Sequence, residues 1–207
     1  MKELFLSLDE RIDKLAKMTY EDIYQEMDRL VGEFPEEDIY PQLVERLSAF
    51  STKLRRAAIY GLAKIGNDDV ALHLVKQLRS SKKGIRQETL KALKSIDGNK
   101  VVEVLIDGMG YKDWFARLTA SRALAILGTP KALPILINAL FNDRSDKVRK
   151  ESAIAIKKIL KRNGGYETSQ LDNYLDPYRD MPGYRGFKQL ESTLVLETCD
   201  NLIENAS

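Results

Sequence analysis

Along most of this chain apolar and small residues recur every three or four positions, and that pattern itself recurs about every 31 residues. Four segments align without gaps: LRRAAIYGLAKIG from Leu54, IRQETLKALKSID from Ile85, ARLTASRALAILG from Ala116 and VRKESAIAIKKIL from Val148. Each opens on an apolar or small residue followed by Arg, and Arg55, Arg86, Arg117 and Arg149 stand 31, 31 and 32 residues apart. Intervals of three and four are the helical period, so each segment predicts a helix with one face for packing. Small residues on that face (Ala58, Gly61, Ala92, Ala120, Ala123, Ser152 and Ala155) let helix axes approach closely. Between the four lie equally periodic stretches, IYPQLVERLSAF, VALHLVKQLRS, VVEVLIDGM and ALPILINALF. The unit is an outer helix, a short turn and an inner helix, stacked four times.

Turn chemistry agrees with this division. Asp68-Asp69 and Thr129-Pro130 enter outer helices, where Thr can cap and Pro suits the first turn. Gly66, Gly98 and Gly128 fall where inner helices should end. Residues 1–37 predict a divergent helix pair that caps one end of the stack, apolar at Ile12 and Leu15, then at Ile23, Met27, Leu30, Val31 and Phe34. Residues 38–163 carry the four repeats. Residues 164–207 break the helical pattern at Gly164-Gly165 and hold Tyr166, Tyr174, Tyr178, Tyr184 and Phe187. Lys188 to Asn205 reads as a closing helix, and so aromatic a segment is expected to pack on something.

The Val-Arg-x-x-Ala-x-x-Ala-Leu-x-x-Ile-Gly core of these segments resembles the HEAT-repeat family, in the short variety found in phycobilisome lyases. The resemblance runs from about Asp38 to Asn163. Asp97 replaces the terminal glycine of the second copy, and Ala116 opens the third where a larger residue is usual. The fold it implies is all-α: a right-handed α-α superhelix, a HEAT-like solenoid of about five helix pairs with a C-terminal capping segment. It also implies that the repeated Arg bridges neighbouring repeats, which makes Arg55, Arg86, Arg117 and Arg149 structural.

Composition narrows the classes. Hydrophobic residues are 43% and charged residues 31% of 207, an ordinary globular balance, and a net charge of +2 names no partner. The single cysteine, Cys199, rules out an intramolecular disulfide and points to a reducing compartment. No stretch approaches 18 uncharged apolar residues, and acids interrupt the N-terminus where a signal peptide needs an apolar run. The expected location is therefore cytoplasmic, with no membrane contact.

Catalytic chemistry finds no foothold. His73 is the only histidine, with no His or Cys near it in sequence, so neither a metal site nor a di-iron centre of paired His-Glu motifs can be assembled. It reads as a packed or surface helix residue. Cys199 lies far from His73, Asn163-Gly164-Gly165 is a helix terminator rather than a phosphate loop, and Glu36-Glu37 sits at a helix start as a cap. No catalytic residue, cofactor or metal is assigned.

What remains is surface. The helical period directs six positions of each inner helix away from the core, and in a solenoid those line the concave face. Of the resulting set, nine are Lys or Arg and three are acidic, and the third copy is apolar where its neighbours are charged. Its Trp114 is the only tryptophan. The expected contact residues are Trp114, Phe115, Leu118, Arg122, Tyr60, Arg56, Lys91, Lys150 and Ile154. Two packings compete with an open face: Trp114 and Phe115 wedged between repeats, or the aromatic C-terminus folded over them. The leading reading is a non-catalytic scaffold or adaptor binding a protein with an acidic or amphipathic segment. The resemblance adds two alternatives: a phycobilin lyase-like protein that attaches or detaches chromophore, and a nucleic-acid binder like the HEAT-like alkylpurine DNA glycosylases. No catalytic motif of the last family can be matched here, and Lys and Glu alternate rather than forming a basic stripe.

Overall fold

The computed structural model describes residues 6–67, 69–163, 175–178 and 180. Among them are ten α-helices in five successive pairs and no strand. The pairs are α1 (Leu8–Lys14) with α2 (Tyr20–Glu33), α3 (Glu36–Arg46) with α4 (Thr52–Ile65), and α5 (Val70–Gln77) with α6 (Lys83–Ser95). They continue with α7 (Gly98–Gly108) and α8 (Trp114–Leu127), then α9 (Leu133–Asn142) and α10 (Asp146–Arg162). The expected all-α repeat of about five helix pairs is the fold observed. The closing helix expected over Lys188 to Asn205, and Cys199 with it, lie outside the described residues.

The chain divides into two compact units, Met1–Val101 and Val102–Ser207. In the first, α4 is the hub: it packs on inner neighbours α2 and α6 and on outer partner α3. Its buried residues Leu54, Ala58, Ile59, Gly61 and Leu62 recur at the spacing that the sequence set aside for packing. Gly61 is the tightest point. A Cβ there would lie 2.6 Å from Met27 Sδ and 2.8 Å from Leu43 Cδ1, so α2, α3 and α4 converge on a site that only hydrogen fits. Ser51 caps α4 through the Leu54 amide, and Gly66 ends it in the left-handed conformation, φ 68°. Gly98 differs from expectation: α6 stops at Ser95, and Gly98 is the first residue of α7.

In the second unit α10 packs on both α8 and α9. Ser152, at a small position of the fourth copy, and Ser121 are wholly buried with their oxygens 3.3 Å apart. From the far end of α10, Arg162 donates at 2.7 Å to the carbonyls of Ala125 and Gly128, closing the C-terminus of α8. Of the C-terminal aromatics, Tyr178 is described: it stacks on Phe141 at 5.0 Å and donates to Asn138 at 3.0 Å, both on outer helix α9.

The repeated Arg does a more local job than bridging. Arg86 donates to the carbonyls of Ser80 and Ser81, Arg117 to those of Tyr111 and Lys112, and Arg149 to that of Asp143. Each partner lies five or six residues back, where an outer helix runs out of amides for its last carbonyls, so the Arg pins the turn of its own repeat. Bridging occurs at Arg117, which grips the Asp143 carboxylate through Nε at 2.7 Å and a terminal nitrogen at 2.9 Å. Asp143 occupies the turn of the next repeat; the matching positions after Arg55 and Arg86 are Ser80 and Tyr111, neither of them a carboxylate. The Nε of Arg55 is buried with no acceptor among the described residues.

Candidate functional site

The inner helices of the first unit carry an interlocked set of tyrosines and charges. Arg56 of α4 donates to Glu88 of α6 at 2.9 Å and to the Tyr24 hydroxyl of α2 at 3.1 Å, with its guanidinium 4.4 Å from the centre of the Tyr20 ring. Tyr60 lies 4.7 Å from Tyr24 and donates to both oxygens of Asp28 at 3.0 Å. Lys64 reaches the same carboxylate at 3.1 Å, and Lys53 donates to the Met18 carbonyl at 2.8 Å. A hollow of about 650 Å³ opens here, lined by Tyr24, Tyr60, Lys64, Glu88, Lys91 and Ser95 among others.

Arg56 and Lys64 are both answered by carboxylates within this set. The Glu88 side chain is 8% exposed, so it holds its charge where water is scarce only because Arg56 is there. Burial opposes the charge on Arg56, yet the hydrogen bond and charge of Glu88 together with the nearby tyrosines Tyr24 and Tyr20 outweigh it and raise its pKa above the ordinary arginine value. Burial, with Glu88 close by, likewise pushes the Tyr24 hydroxyl upward. Arg56 and Tyr60, expected as partner contacts, are half-buried and each is engaged by a carboxylate of this set. Lys91 is exposed on the rim of the hollow.

The second unit is different. Asp113 caps α8 by accepting from the Phe115 amide at 3.1 Å, which places Trp114 and Phe115 in the exposed first turn. Trp114 is 43% exposed and Phe115 38%, their rings meeting edge-on at 5.8 Å. Lys147, in the first turn of α10, sits 5.3 Å from the centre of the indole ring. Lys112, Trp114, Arg117, Arg144, Ser145, Asp146 and Lys147 line a hollow of about 500 Å³. Neither competing packing applies to what is described: Trp114 and Phe115 are not wedged, and Tyr178 rests on α9 rather than on them.

Further along α8, Arg122 is tied to Glu151 of α10 at 2.8 Å, while Ile126 is 40% exposed. Lys150 and Ile154 are half-buried. Leu118 corrects the expected contact list: it is 3% exposed and belongs to the packing. Ala57 and Glu88, each two residues after a repeat Arg and among the six positions per helix that the helical period directs away from the core, are buried too. Reasoning from the inner helices alone also missed Lys112 and Arg144, which stand in the turns before α8 and α10. It missed Tyr20, Tyr24 and Asp28 as well, although stepping back 32 residues from Arg56 and Tyr60 reaches Tyr24 and Asp28.

His73 meets Tyr40 edge-on at 6.1 Å, and burial, then Lys76, lowers its pKa, which suits a packed neutral imidazole. Among the described residues no group of three or more His, Cys, Asp or Glu is gathered as a metal would require, and no helix is long and apolar enough to cross a membrane.

Comparison with known proteins gives the family. The model for HEAT repeats matches residues 8–94, 40–112 and 71–157 in overlapping placements. No curated protein matches the chain. Among solved structures, smu.31 from Streptococcus mutans UA159 is similar at TM-score 0.57 and 15% identity, over 95% of this chain and 100% of that one. AlkD2 from Streptococcus mutans aligns at 0.55 and 14%, over 96% and 100%. A crescerin TOG domain structure, from an array described as regulating microtubules in the primary cilium, aligns at 0.58 and 16%, over 100% and 92%. At such identities the likeness is one of fold.

Proposed function

Because this chain belongs to the HEAT-repeat family, whose stacked helix pairs present inner helices for contact, we propose that it is a non-catalytic scaffold that binds a protein partner, with Trp114 as the anchor. The observation that carries this reading is the exposure of Trp114. A tryptophan 43% open to water, beside a half-open Phe115 and under a lysine, is the side chain type from which interfaces draw most of their energy. Phe115 adds apolar area beside it, and the surrounding side chains Lys112, Arg144 and Lys147 are polar, which is the usual make-up of a contact patch.

Two other readings are separable from this one. A chromophore-handling role, in line with the phycobilisome-lyase variety of the repeat, requires a change of colour or fluorescence when a bilin is mixed with the protein. Nucleic-acid binding requires affinity that falls steeply with salt. Protein binding through Trp114 is tested by comparing captured partners of the wild-type chain and Trp114→Ala. Loss of a partner is expected, at a cost on the order of 2 kcal/mol or about thirty-fold in affinity. Retention of every partner by Trp114→Ala would show that the anchor lies elsewhere.

A further inference from the structure

The charges around Trp114 specify what kind of segment lies against it, an inference that rests on the protein-binding reading. Lys112, Arg144 and Lys147 are exposed and line one hollow with Trp114 and Ser145. No carboxylate among the described residues comes within ion-pair distance of any of the three. The nearby acids are already engaged: Asp113 by the Phe115 amide, Asp143 by Arg117, and Asp146 by Arg149. Arg122 and Lys131, exposed in the same unit, do have partners, in Glu151 and Glu103. In the first unit Arg56 and Lys64 have theirs in Glu88 and Asp28.

An uncompensated cationic rim beside an apolar anchor is complementary to one chemistry. We infer that the second unit takes an acidic peptide segment, with a large aliphatic or aromatic side chain against Trp114 and Phe115 and carboxylates on Lys112, Arg144 and Lys147. Lys147 orients the pairing, because the cation held over the indole places any carboxylate it meets alongside the ring. Exposed ion pairs are individually weak and are screened beyond roughly 8 Å at physiological salt, so the rim selects sequence and speeds encounter while the apolar contact holds the complex.

The test is selection of a displayed library of random peptides on the full chain, followed by titration of a synthesised winner. Trp114 is the only tryptophan, so its emission reports directly on the hollow. Enriched peptides are expected to be net acidic with at least one large apolar residue. Affinity of the winner should fall ten-fold or more in Lys112→Glu/Arg144→Glu, whose melting temperature is expected to stay at the wild-type value because both side chains are exposed. Enrichment of neutral or basic peptides, or an affinity that the double substitution leaves unchanged, overturns the acidic-segment inference and leaves protein binding standing. A selection that enriches nothing overturns both. A single-stranded oligonucleotide that shifts the emission at lower concentration than the best peptide overturns the inference in favour of nucleic acid.

Discussion

In the first unit Arg56 reaches Glu88 and Tyr24, and Lys64 and Tyr60 share Asp28; in the second, Lys147 lies over Trp114, with Lys112 and Arg144 lining the same hollow and no carboxylate among the described residues within ion-pair distance of the three. The inner helices and the turns that lead into them follow one repeat, and both rows are rich in basic and aromatic side chains. What differs is whether the charges are answered internally. A basic side chain on a repeat surface says little about binding until its partners are counted: in the first row Arg56 and Lys64 are committed to internal carboxylates while Lys91 stays exposed, and in the second the three cations around Trp114 meet no carboxylate among the described residues. The comparison therefore predicts opposite outcomes for charge removal in the two units.

The largest effect belongs to Glu88→Ala. It leaves Arg56, 23% exposed, facing a vacated site with its charge intact, and breaking one side of such a pair costs about 3 kcal/mol. Lys112→Ala and Lys147→Ala should each change stability by less than about 0.5 kcal/mol. Urea unfolding of the three variants decides the matter; a Glu88→Ala cost as small as those of the lysines would erase the distinction between the units.

Packing sharpens the contrast next. At the register where the second unit has Ala123, the first has Gly61, against Met27 and Leu43, both wholly buried. Gly61→Ala gains up to about 1 kcal/mol of helix propensity but forces a methyl into contacts under 3 Å, for a net loss of about 1.5 kcal/mol. Ala123→Gly, with no such clash in prospect, should cost about 1.5 kcal/mol through lost propensity and the loss of a buried methyl. If Gly61→Ala melts higher than wild type, the helices have room to part and the close approach is not a constraint.

The Arg117–Asp143 clamp is the second unit's own internal ion pair, with the Asp143 side chain 6% exposed. Burial opposes the Asp143 charge, but the Arg117 hydrogen bonds and the Ser145 amide outweigh it and hold the carboxyl below its ordinary value of 3.8. A depressed folded pKa means the carboxylate contributes stability above the unfolded value, and loses it as pH falls through the folded one. Asp143→Asn should therefore cost about 1 kcal/mol at pH 7, the amide keeping part of the hydrogen bonding. The difference from wild type should close as pH drops from about 4 downward. A gap between the two melting curves that persists at pH 2 would mean the clamp is not electrostatic.

Much of this organisation was legible in the sequence, because a helical period and a 31-residue repeat are one-dimensional signals. The five pairs, the small positions Gly61 and Ser152 and the exposed head of α8 all follow from spacing. The misses share a cause: spacing fixes direction around one helix and is blind to what the next helix brings. Ala57 and Glu88 occupy the same register and are buried at the seam between adjacent inner helices, where Glu88 receives Arg56. Leu118 holds the register of Arg56, on the opposite edge of the face, and is buried likewise. The net basic charge read along the inner helices was real as a count, but in the first unit Arg56 and Lys64 are paired across helices with Glu88 and Asp28. Lys112 and Arg144 fell outside an inventory confined to helical faces, although a turn that abuts a helix start can serve the same hollow.

Arg122 makes the finest test of these ideas, since it sits on α8 between the anchor and Ile126 yet has an internal partner. Its side chain is 58% exposed and that of Glu151 21%, so the pair is screened, and Arg122→Ala should cost only a few tenths of a kcal/mol in stability. Its effect on binding separates two geometries. If the bound segment stays at the turn edge, around Lys112, Trp114, Arg144 and Lys147, then Arg122→Ala leaves affinity within about two-fold. If the segment runs along α8 toward Ile126, it must displace Glu151 from Arg122, and the alanine variant, which frees that stretch of charge competition, changes affinity and its salt dependence together. Measuring Trp114 emission against peptide concentration at two ionic strengths distinguishes them, and a shift beyond two-fold would extend the contact surface from the turn onto the helix.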